Sequence, residues 1–258
     1  MSWNPSQYLK FEQPRLRPAL ELLARVSVDA PRTVYDLGCG AGQLSRLMAE
    51  RWPGAQVVGV DASAAMLKQA GDTLPNLRWQ QQDLAGWKAE APADLIYSNA
   101  ALHWLPDHTK LFEHLMQQLA PGGTLAVQMP RNFAAPSHTS IADAVRAGPW
   151  RARLEPLLRE KTPVEDPSWY YDLLAPLAQD IDLWETEYHQ VLTGEDPVKE
   201  WTKGTWLATF LNALDDPAER AAFERDYAAR VRIAYPMRAD GTTVFPFRRL
   251  FLVARRAA

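Results

Sequence analysis

Short apolar runs alternate with helical patterns through the first half of the chain. Strands are predicted at five runs that end at a turn or an acidic residue: Thr33–Leu37, Gln56–Val60, Leu77–Gln81, Ala93–Ser98 and Thr124–Met129. Helices are predicted around them, at Glu12–Val26, Gln43–Arg51, a Ser63-capped stretch ending at Ala70, and Asp107–Leu119. Strand, helix and strand in this rhythm require crossover connections, so the pattern predicts a parallel sheet covered on both faces.

After residue 130 the pattern becomes mostly helical. Ser140–Ala178 is helical but interrupted by prolines, and Glu195–Tyr235 is helical again. Asp182–His189 alternates with period two, and Thr243–Ala254 predicts a final strand. We therefore expect an α/β fold: a doubly wound, seven-stranded sheet, mostly parallel with an antiparallel edge, plus a helical cover.

Composition and charge exclude several classes of protein. Of 258 residues, 28 are Lys or Arg and 31 are Asp or Glu, and this net charge of −3 excludes a dedicated polybasic nucleic-acid binder. The single cysteine, Cys39, cannot form an intramolecular disulfide. No apolar run approaches the ~18 residues of a membrane span, and the first ten residues lack the apolar core of a signal peptide. We expect a cytoplasmic protein with no nucleic-acid or membrane partner.

The strongest chemical signal is the glycine loop Asp36–Gly42, which follows a predicted strand and precedes a predicted helix. Glycine lets the backbone turn tightly and approach a ligand, and such a loop lies at the carboxyl end of a parallel sheet, where ligands bind. A dinucleotide fingerprint would need G-x-G-x-x-G, but Gln43 stands at its last glycine position. The loop therefore favours a ligand without a pyrophosphate, the alternative being a tight turn that serves packing alone.

Acidic residues mark three successive strand ends. Asp61 ends the second strand, where a carboxylate can accept hydrogen bonds from ribose hydroxyls or cap the next helix. Asp83 follows the third strand, where it can accept from an adenine amine. Asp36 can accept from a ligand or water, or hold the loop. Together they predict a nucleoside-sized ligand.

On these motifs the chain resembles the class I S-adenosylmethionine-dependent methyltransferases: Asp36–Gly40, then Asp61, Asp83 and Ser98–Ala100 follow in the same order. The chain also resembles the trans-aconitate 2-methyltransferase family, and this similarity runs from one end of the chain to the other. Four further stretches carry it: Trp3–Leu9, Asn99–His108, Ala126–Asn132 and Leu250–Arg256. That family reads Phe-Pro-Arg-Leu-Phe near its end, where this chain has the longer run Phe245–Phe251. Either Arg248 or Arg249 therefore takes the place of the family's arginine.

The resemblance implies a Rossmann-like sheet, S-adenosylmethionine as cofactor, and methylation of one carboxylate of trans-aconitate or a similar small polycarboxylate. It implies these cofactor-binding residues: Asp36, Gly38, Cys39, Gly40, Gly42, Asp61, Ala62, Met66, Asp83, Leu84 and Asn99. Carboxylic acids titrate near pH ~4, so the acceptor is already ionised and needs no general base. His103 and Trp104 are candidates for positioning the acceptor.

The other carboxylates of such an acceptor need cations or hydrogen-bond donors, and arginine binds a carboxylate through two parallel bonds. The candidates for binding it are Tyr8, Arg131, Asn132, Tyr170, Tyr171, Arg248 and Arg249. For each, the alternative is a surface residue or a packed aromatic. No metal is expected, because His103, His108 and His114 lack the spacing of a zinc helix.

We interpret the chain as one domain, 1–258. Its parts are an N-terminal cap, 1–30; a cofactor-binding half, 31–130; a helical cover, 131–181 and 192–242; and closing strands, 182–191 and 243–254. The insertions are too short to be convincing independent domains. Four tryptophans of the cover could exclude water from a site or belong to the core: Trp150, Trp169, Trp201 and Trp206.

Three other functions stay open. A nicotinamide-dependent oxidoreductase would need the fingerprint that Gln43 breaks. A non-enzymatic nucleoside-binding module would use the same strand ends, although the spacious cover favours a second ligand. A methyltransferase could also act on another acid, a lipid or a quinone precursor. We expect a monomer.

Overall fold

The computed structural model describes residues 12–159 and 161–258. Within them, seven strands form one sheet in the order β3-β2-β1-β4-β5-β7-β6. Their bounds are β1 Thr33–Leu37, β2 Gln56–Asp61, β3 Leu77–Gln81, β4 Ala93–Asn99, β5 Leu119–Pro130, β6 Ala178–Leu192 and β7 Thr243–Arg256. The first five strands pair in parallel, and β7 pairs antiparallel to β5. The predicted fold class is confirmed.

The helices of the described residues are α1 Glu12–Ala24, α2 Gln43–Arg51, α3 Ala64–Ala70, α4 His108–Gln118, α5 Pro136–Ala147, α6 Arg151–Leu154, α7 Pro167–Leu174, α8 Pro197–Lys203, α9 Trp206–Leu211 and α10 Pro217–Ala234. Short 3-10 turns lie at Leu84–Gly86, Leu102–Trp104 and Glu155–Leu157. The two long helical patterns of the second half each divide into shorter helices, because prolines occupy the first turns of α5, α7, α8 and α10. No helix in this part of the chain is long and apolar enough to cross a membrane.

β5 begins five residues before the predicted strand and runs through its expected turn, Pro121–Gly123. The register between β4 and β5 shifts between Ala93 and Leu95. A Cβ at Gly123 would lie 2.6 Å from the carbonyl oxygen of Ala93. Only glycine therefore allows the two strands to come so close, and the turn-forming residues make a bulge instead of ending the strand.

The chain divides into two compact units, each with its own core. Unit 1 contains the described residues of 1–15, 131–162 and 187–248, and unit 2 contains 16–130, 163–186 and 249–258. Trp150 and Trp201 are 6% and 1% exposed in the apolar cluster of unit 1, where Trp206 packs partly buried. These two tryptophans are core residues, which was the alternative to a water-excluding role. The interpretation of the chain as one domain stays a prediction.

Candidate active site

The loop after β1 is built on three glycines in the left-handed region. Gly38, Gly40 and Gly42 have φ of +78°, +55° and +78°. The backbone N–H groups of Gly38 and Cys39 both donate to the carbonyl oxygen of Val60, at 2.8 and 3.0 Å, and so tie the loop to β2. The sequence after β1 therefore produces a sharp turn at the carboxyl end of the sheet, in unit 2.

These glycines meet different surroundings. A Cβ at Gly38 would lie 2.2 Å from the Cβ of Ala101, and one at Gly42 would lie 2.4 Å from Cη2 of Trp79. A Cβ at Gly40 would meet no described heavy atom within 4 Å. Packing of the protein therefore requires Gly38 and Gly42, whereas Gly40 faces open space that a cofactor can fill.

Asp61 supports the loop from the end of β2. Its Oδ2 accepts from the backbone N–H of Gly40 at 2.9 Å, and its Oδ1 accepts from the N–H of Ser63 at 2.8 Å. The cap of α3 is instead Ser63, whose Oγ accepts from the N–H of Met66 at 3.3 Å. Each carboxylate oxygen can accept a further bond, so half-buried Asp61 can also accept from two ribose hydroxyls.

Asp36 lies inside the sheet, 2% exposed, and accepts from the Ser45 hydroxyl at 2.5 Å. Burial raises its pKa to about 7; the Ser45 bond opposes this rise and the charge of Asp61 adds to it. Two roles were expected for Asp36: to accept from a ligand or water, or to hold the glycine loop. The bond to Ser45 corresponds to the second role, because it joins β1 to α2, the two elements on either side of the loop.

The Cys39 thiol is poorly suited to nucleophilic chemistry. Burial, with the nearby carboxylates of Asp36 and Asp61, raises the pKa of the Cys39 thiol, so the thiolate needed for nucleophilic attack is disfavoured. Within residues 12–159 and 161–258, no group of three or more His, Cys, Asp or Glu side chains is placed to hold a metal ion.

The other candidate cofactor residues follow β2, β3 and β4 in the same unit. Exposed Asp83 caps the turn Leu84–Gly86, and its Oδ1 accepts from the N–H of Ala85 at 2.9 Å. Met66 is 5% exposed on α3, and Ala62, which follows Asp61, is exposed. The Oδ1 atom of Asn99, at the end of β4, is buried and has no partner among the described residues. Because β1 to β4 are parallel neighbours, their carboxyl ends place acceptor atoms along one edge.

A buried polar pair lies where the carboxyl end of β5 pairs with the middle of β7. Gln128 is 0% exposed, and its Oε1 accepts from Nη1 of Arg249, which is 4% exposed, at 3.1 Å. Arg248 is exposed, with Nη2 3.7 Å from Oε2 of Glu187. The two neighbouring arginines therefore differ in burial: Arg249 is buried and Arg248 is exposed. Gln128 escaped the sequence analysis because it is one polar residue within the apolar run of β5.

The remaining candidate acceptor residues are spread over both units. In unit 1, Arg131 is half-buried and its N–H donates to the carbonyl oxygen of Arg248 at 2.9 Å. Asn132 is 5% exposed, and neither polar atom of its side chain has a partner in the part of the chain that the structure describes. In unit 2, Tyr171 is 52% exposed on α7. Tyr8 lies outside the described residues.

The turn Leu102–Trp104 is held by a buried hydrogen-bond chain that sequence reasoning missed. Nε2 of His108 lies 3.1 Å from the carbonyl oxygen of Leu102, so it carries the proton, and Nδ1 accepts from the Tyr170 hydroxyl at 2.6 Å. Tyr170 is 0% exposed and packs inside unit 2, and its expected contact with an acceptor stays a prediction. His103, 6% exposed, lies with its ring centroid 4.8 Å from that of Trp104. These hydrogen bonds therefore hold the turn that carries His103 and Trp104, the two candidates for positioning the acceptor.

The parallel sheet with its antiparallel β7, and the glycine loop beside acidic strand ends, are the features expected from the resemblance to class I S-adenosylmethionine-dependent methyltransferases. A family model described as a methyltransferase domain matches residues 34–123. Solved structures share the fold. Haemonchus contortus phosphoethanolamine N-methyltransferase 2, in complex with S-adenosyl-L-methionine, has a TM-score of 0.57 and 17% identity, over 98% of this chain and 56% of that one. The YcgJ protein of Bacillus subtilis has a TM-score of 0.58 and 16% identity, over 94% and 99%.

Curated relatives of nearly equal length define the family. A protein of Azoarcus sp. (strain BH72) is 49% identical over 99% of both chains, and one of Methylobacterium radiotolerans is 46% identical over 99% of both. A protein of Paracidovorax citrulli is 44% identical, again over 99% of both. Each is named trans-aconitate 2-methyltransferase. The chain belongs to the trans-aconitate 2-methyltransferase family, as its motifs predicted.

Proposed function

We propose that this enzyme transfers a methyl group from S-adenosylmethionine to one carboxylate of trans-aconitate, or of a similar small polycarboxylate, and forms a monomethyl ester. The observation that carries the proposal is the 49% identity, over 99% of both chains, to a protein named for that reaction. S-adenosylmethionine supplies the methyl group in electrophilic form, on a sulfonium centre. The proposal includes a monomeric cytoplasmic enzyme without a nucleic-acid or membrane partner.

In this proposal the ends of β1 to β4 bind the cofactor. Gly40 leaves room beside the loop, and the free lone pairs of Asp61 accept from the ribose hydroxyls. Asp83 accepts from the adenine amine. Oδ1 of Asn99 is a buried acceptor suited to an ammonium group. The other residues implied by the resemblance complete this side: Asp36, Gly38, Cys39, Gly42, Ala62, Met66 and Leu84.

The acceptor side holds an anion. The acceptor carboxylate is ionised near neutral pH, so the enzyme's task is to hold one oxygen in line with the methyl group. A buried guanidinium is suited to a second carboxylate of the same molecule, and for this role we favour buried Arg249 over exposed Arg248. His103 and Trp104 orient the acceptor. The remaining residues proposed for binding it are Tyr8, Arg131, Asn132 and Tyr171.

The test is an acceptor screen with the purified enzyme and labelled S-adenosylmethionine. The panel contains trans-aconitate, cis-aconitate, citrate, isocitrate, fumarate and crotonate, and products are identified by mass. We expect a monomethyl ester of trans-aconitate, with kcat/KM falling only as the acceptor carboxylates protonate near pH ~4. A loss of kcat/KM that begins as pH falls through the ordinary histidine pKa of ~6.5, well above the range in which the acceptor protonates, would contradict catalysis without a base. If no di- or tricarboxylate is esterified, the acceptor belongs to another class of small molecule.

A further inference from the structure

Gln128 has a buried donor that the reaction described above does not use. Its side chain is 0% exposed, yet Nε2 has no hydrogen-bond partner among the described residues. An amide Nε2 carries two N–H donors, and a buried donor left unsatisfied costs about 1–3 kcal/mol. Buried polar groups are nearly always satisfied, so an acceptor atom is expected to reach this one when a ligand binds.

The orientation of this amide is fixed by Arg249. Oε1 of Gln128 accepts from Nη1 of Arg249 at 3.1 Å. A guanidinium only donates, so the opposite rotamer, with Nε2 facing Nη1, would bring two donors together. Nε2 is therefore the end that stays available. Because the amide is neutral, this contact orients the guanidinium without cancelling its charge.

Two amide side chains near the ends of β4 and β5 leave different atoms without a partner among the described residues. Asn99 and Gln128 are register partners on β4 and β5. On the β4 side, Oδ1 of Asn99 is a buried acceptor, and Asp61 adds further acceptors at the end of β2. On the β5 side, Nε2 of Gln128 is a donor, with Arg249 beside it. Acceptors suit a cationic cofactor and donors suit an anionic acceptor.

We propose that Gln128 determines acceptor specificity. Its Nε2 donates to a carboxylate of the acceptor, while its Oε1 holds Arg249 in place for the same molecule. The ligand class is a small di- or tricarboxylate, and the change from cofactor contacts to acceptor contacts lies between β4 and β5. This inference rests on the proposed function and names the residue that selects its substrate class.

The test replaces Gln128 by methionine, which has a similar length but no donor. Titration calorimetry gives the Kd of S-adenosylmethionine, and the Kd of trans-aconitate with S-adenosylhomocysteine present to prevent turnover. We expect Gln128→Met to bind the cofactor within twofold of wild type and to bind trans-aconitate about 10- to 100-fold more weakly, the loss of a bond to a charged group. In assays KM for trans-aconitate should rise more than kcat falls, and preference over crotonate should shrink. Gln128→Glu, which would pair with Arg249 and repel the anion, should lose more.

The matched control is Gln117→Met, the same substitution at an exposed position of α4, which should leave both Kd values unchanged. Wild-type affinity of folded Gln128→Met for trans-aconitate overturns the inference and leaves the proposed function standing. A wild-type enzyme that binds no di- or tricarboxylate overturns both. If Gln128→Met does not fold, Gln128→Asn makes the same comparison, because it keeps the amide but withdraws its donors by one methylene.

Discussion

Gly40→Ala is expected to separate cofactor binding from folding. No described heavy atom lies within 4 Å of an added Cβ, so only the backbone conformation opposes the change in the free protein. At φ of +55°, an L residue costs about 1–2 kcal/mol. For a protein of this size, that corresponds to a fall in Tm of roughly 2–8 °C.

Cofactor affinity should respond more strongly. The new methyl group enters the space that we assign to S-adenosylmethionine, and overpacking of a fitted site costs about 1–3 kcal/mol, or about 5- to 150-fold in Kd. Gly241→Ala is the matched control, because Gly241 has φ of +79° and also meets no described atom within 4 Å, but lies in unit 1. Thermal unfolding and titration calorimetry on both variants give the two quantities.

The comparison has a clear failing result. If both variants lose similar stability and bind S-adenosylmethionine equally well, the open space beside Gly40 does not hold the cofactor. Gly38→Ala and Gly42→Ala extend the test, because their added Cβ atoms would lie 2.2 and 2.4 Å from protein atoms. These two changes should reduce stability beyond the backbone effect, with cofactor or without it.

Three further predictions concern charged side chains. Asp61→Ala should weaken S-adenosylmethionine binding by about 2–3 kcal/mol in calorimetry, with the far-ultraviolet spectrum retained; unchanged affinity would remove it from the site. Burial raises the pKa of Asp36 from 3.8 to about 7, so between these values the folded protein keeps a proton that the unfolded chain has lost, and stability falls as pH rises. Asp36→Asn should therefore gain stability relative to wild type between pH 4 and pH 8 in chemical denaturation, whereas a difference independent of pH would mean an ordinary pKa. Arg249→Lys should raise KM for trans-aconitate at least about tenfold, since one ammonium cannot reproduce two parallel bonds, and a wild-type KM would point to another cation.

Local sequence was sufficient for the cofactor half of the fold. The strands, the glycine loop and the Ser63 cap depend on neighbours within a few residues, and the structure has them within a residue or two of the predicted places. β5 was longer than predicted, because its turn-forming residues adopt a bulge only when β4 lies alongside. That partner is not visible in the pattern of β5 itself.

The candidate residues for binding the acceptor could not be chosen from local sequence, because their burial depends on how distant strands pair. Neighbouring residues of a strand face opposite sides, so the choice between Arg248 and Arg249 depends on how β7 pairs, and Pro130 of β5 is the partner of Arg249. The bond between His108 and Tyr170 likewise joins α4 to α7, between which β5, α5 and α6 lie in the sequence. No rule of sequence spacing connects such residues. The sequence analysis therefore could not choose between Arg248 and Arg249, and it gave His108 no role.

The position of β7 has a consequence for the newly made chain. β7 is the last strand in sequence but lies between β5 and β6, where Leu125 pairs with Ala254. Until that segment arrives, the outer edge of β5 presents unpaired N–H and C=O groups that other chains can pair with, and β6 lacks its neighbour. Such distant pairing also slows folding. A polypeptide interrupted before Thr243 therefore lacks both Arg249 and the strand that covers the edge of β5. We expect it to aggregate, so that it does not persist as an inactive protein that binds S-adenosylmethionine.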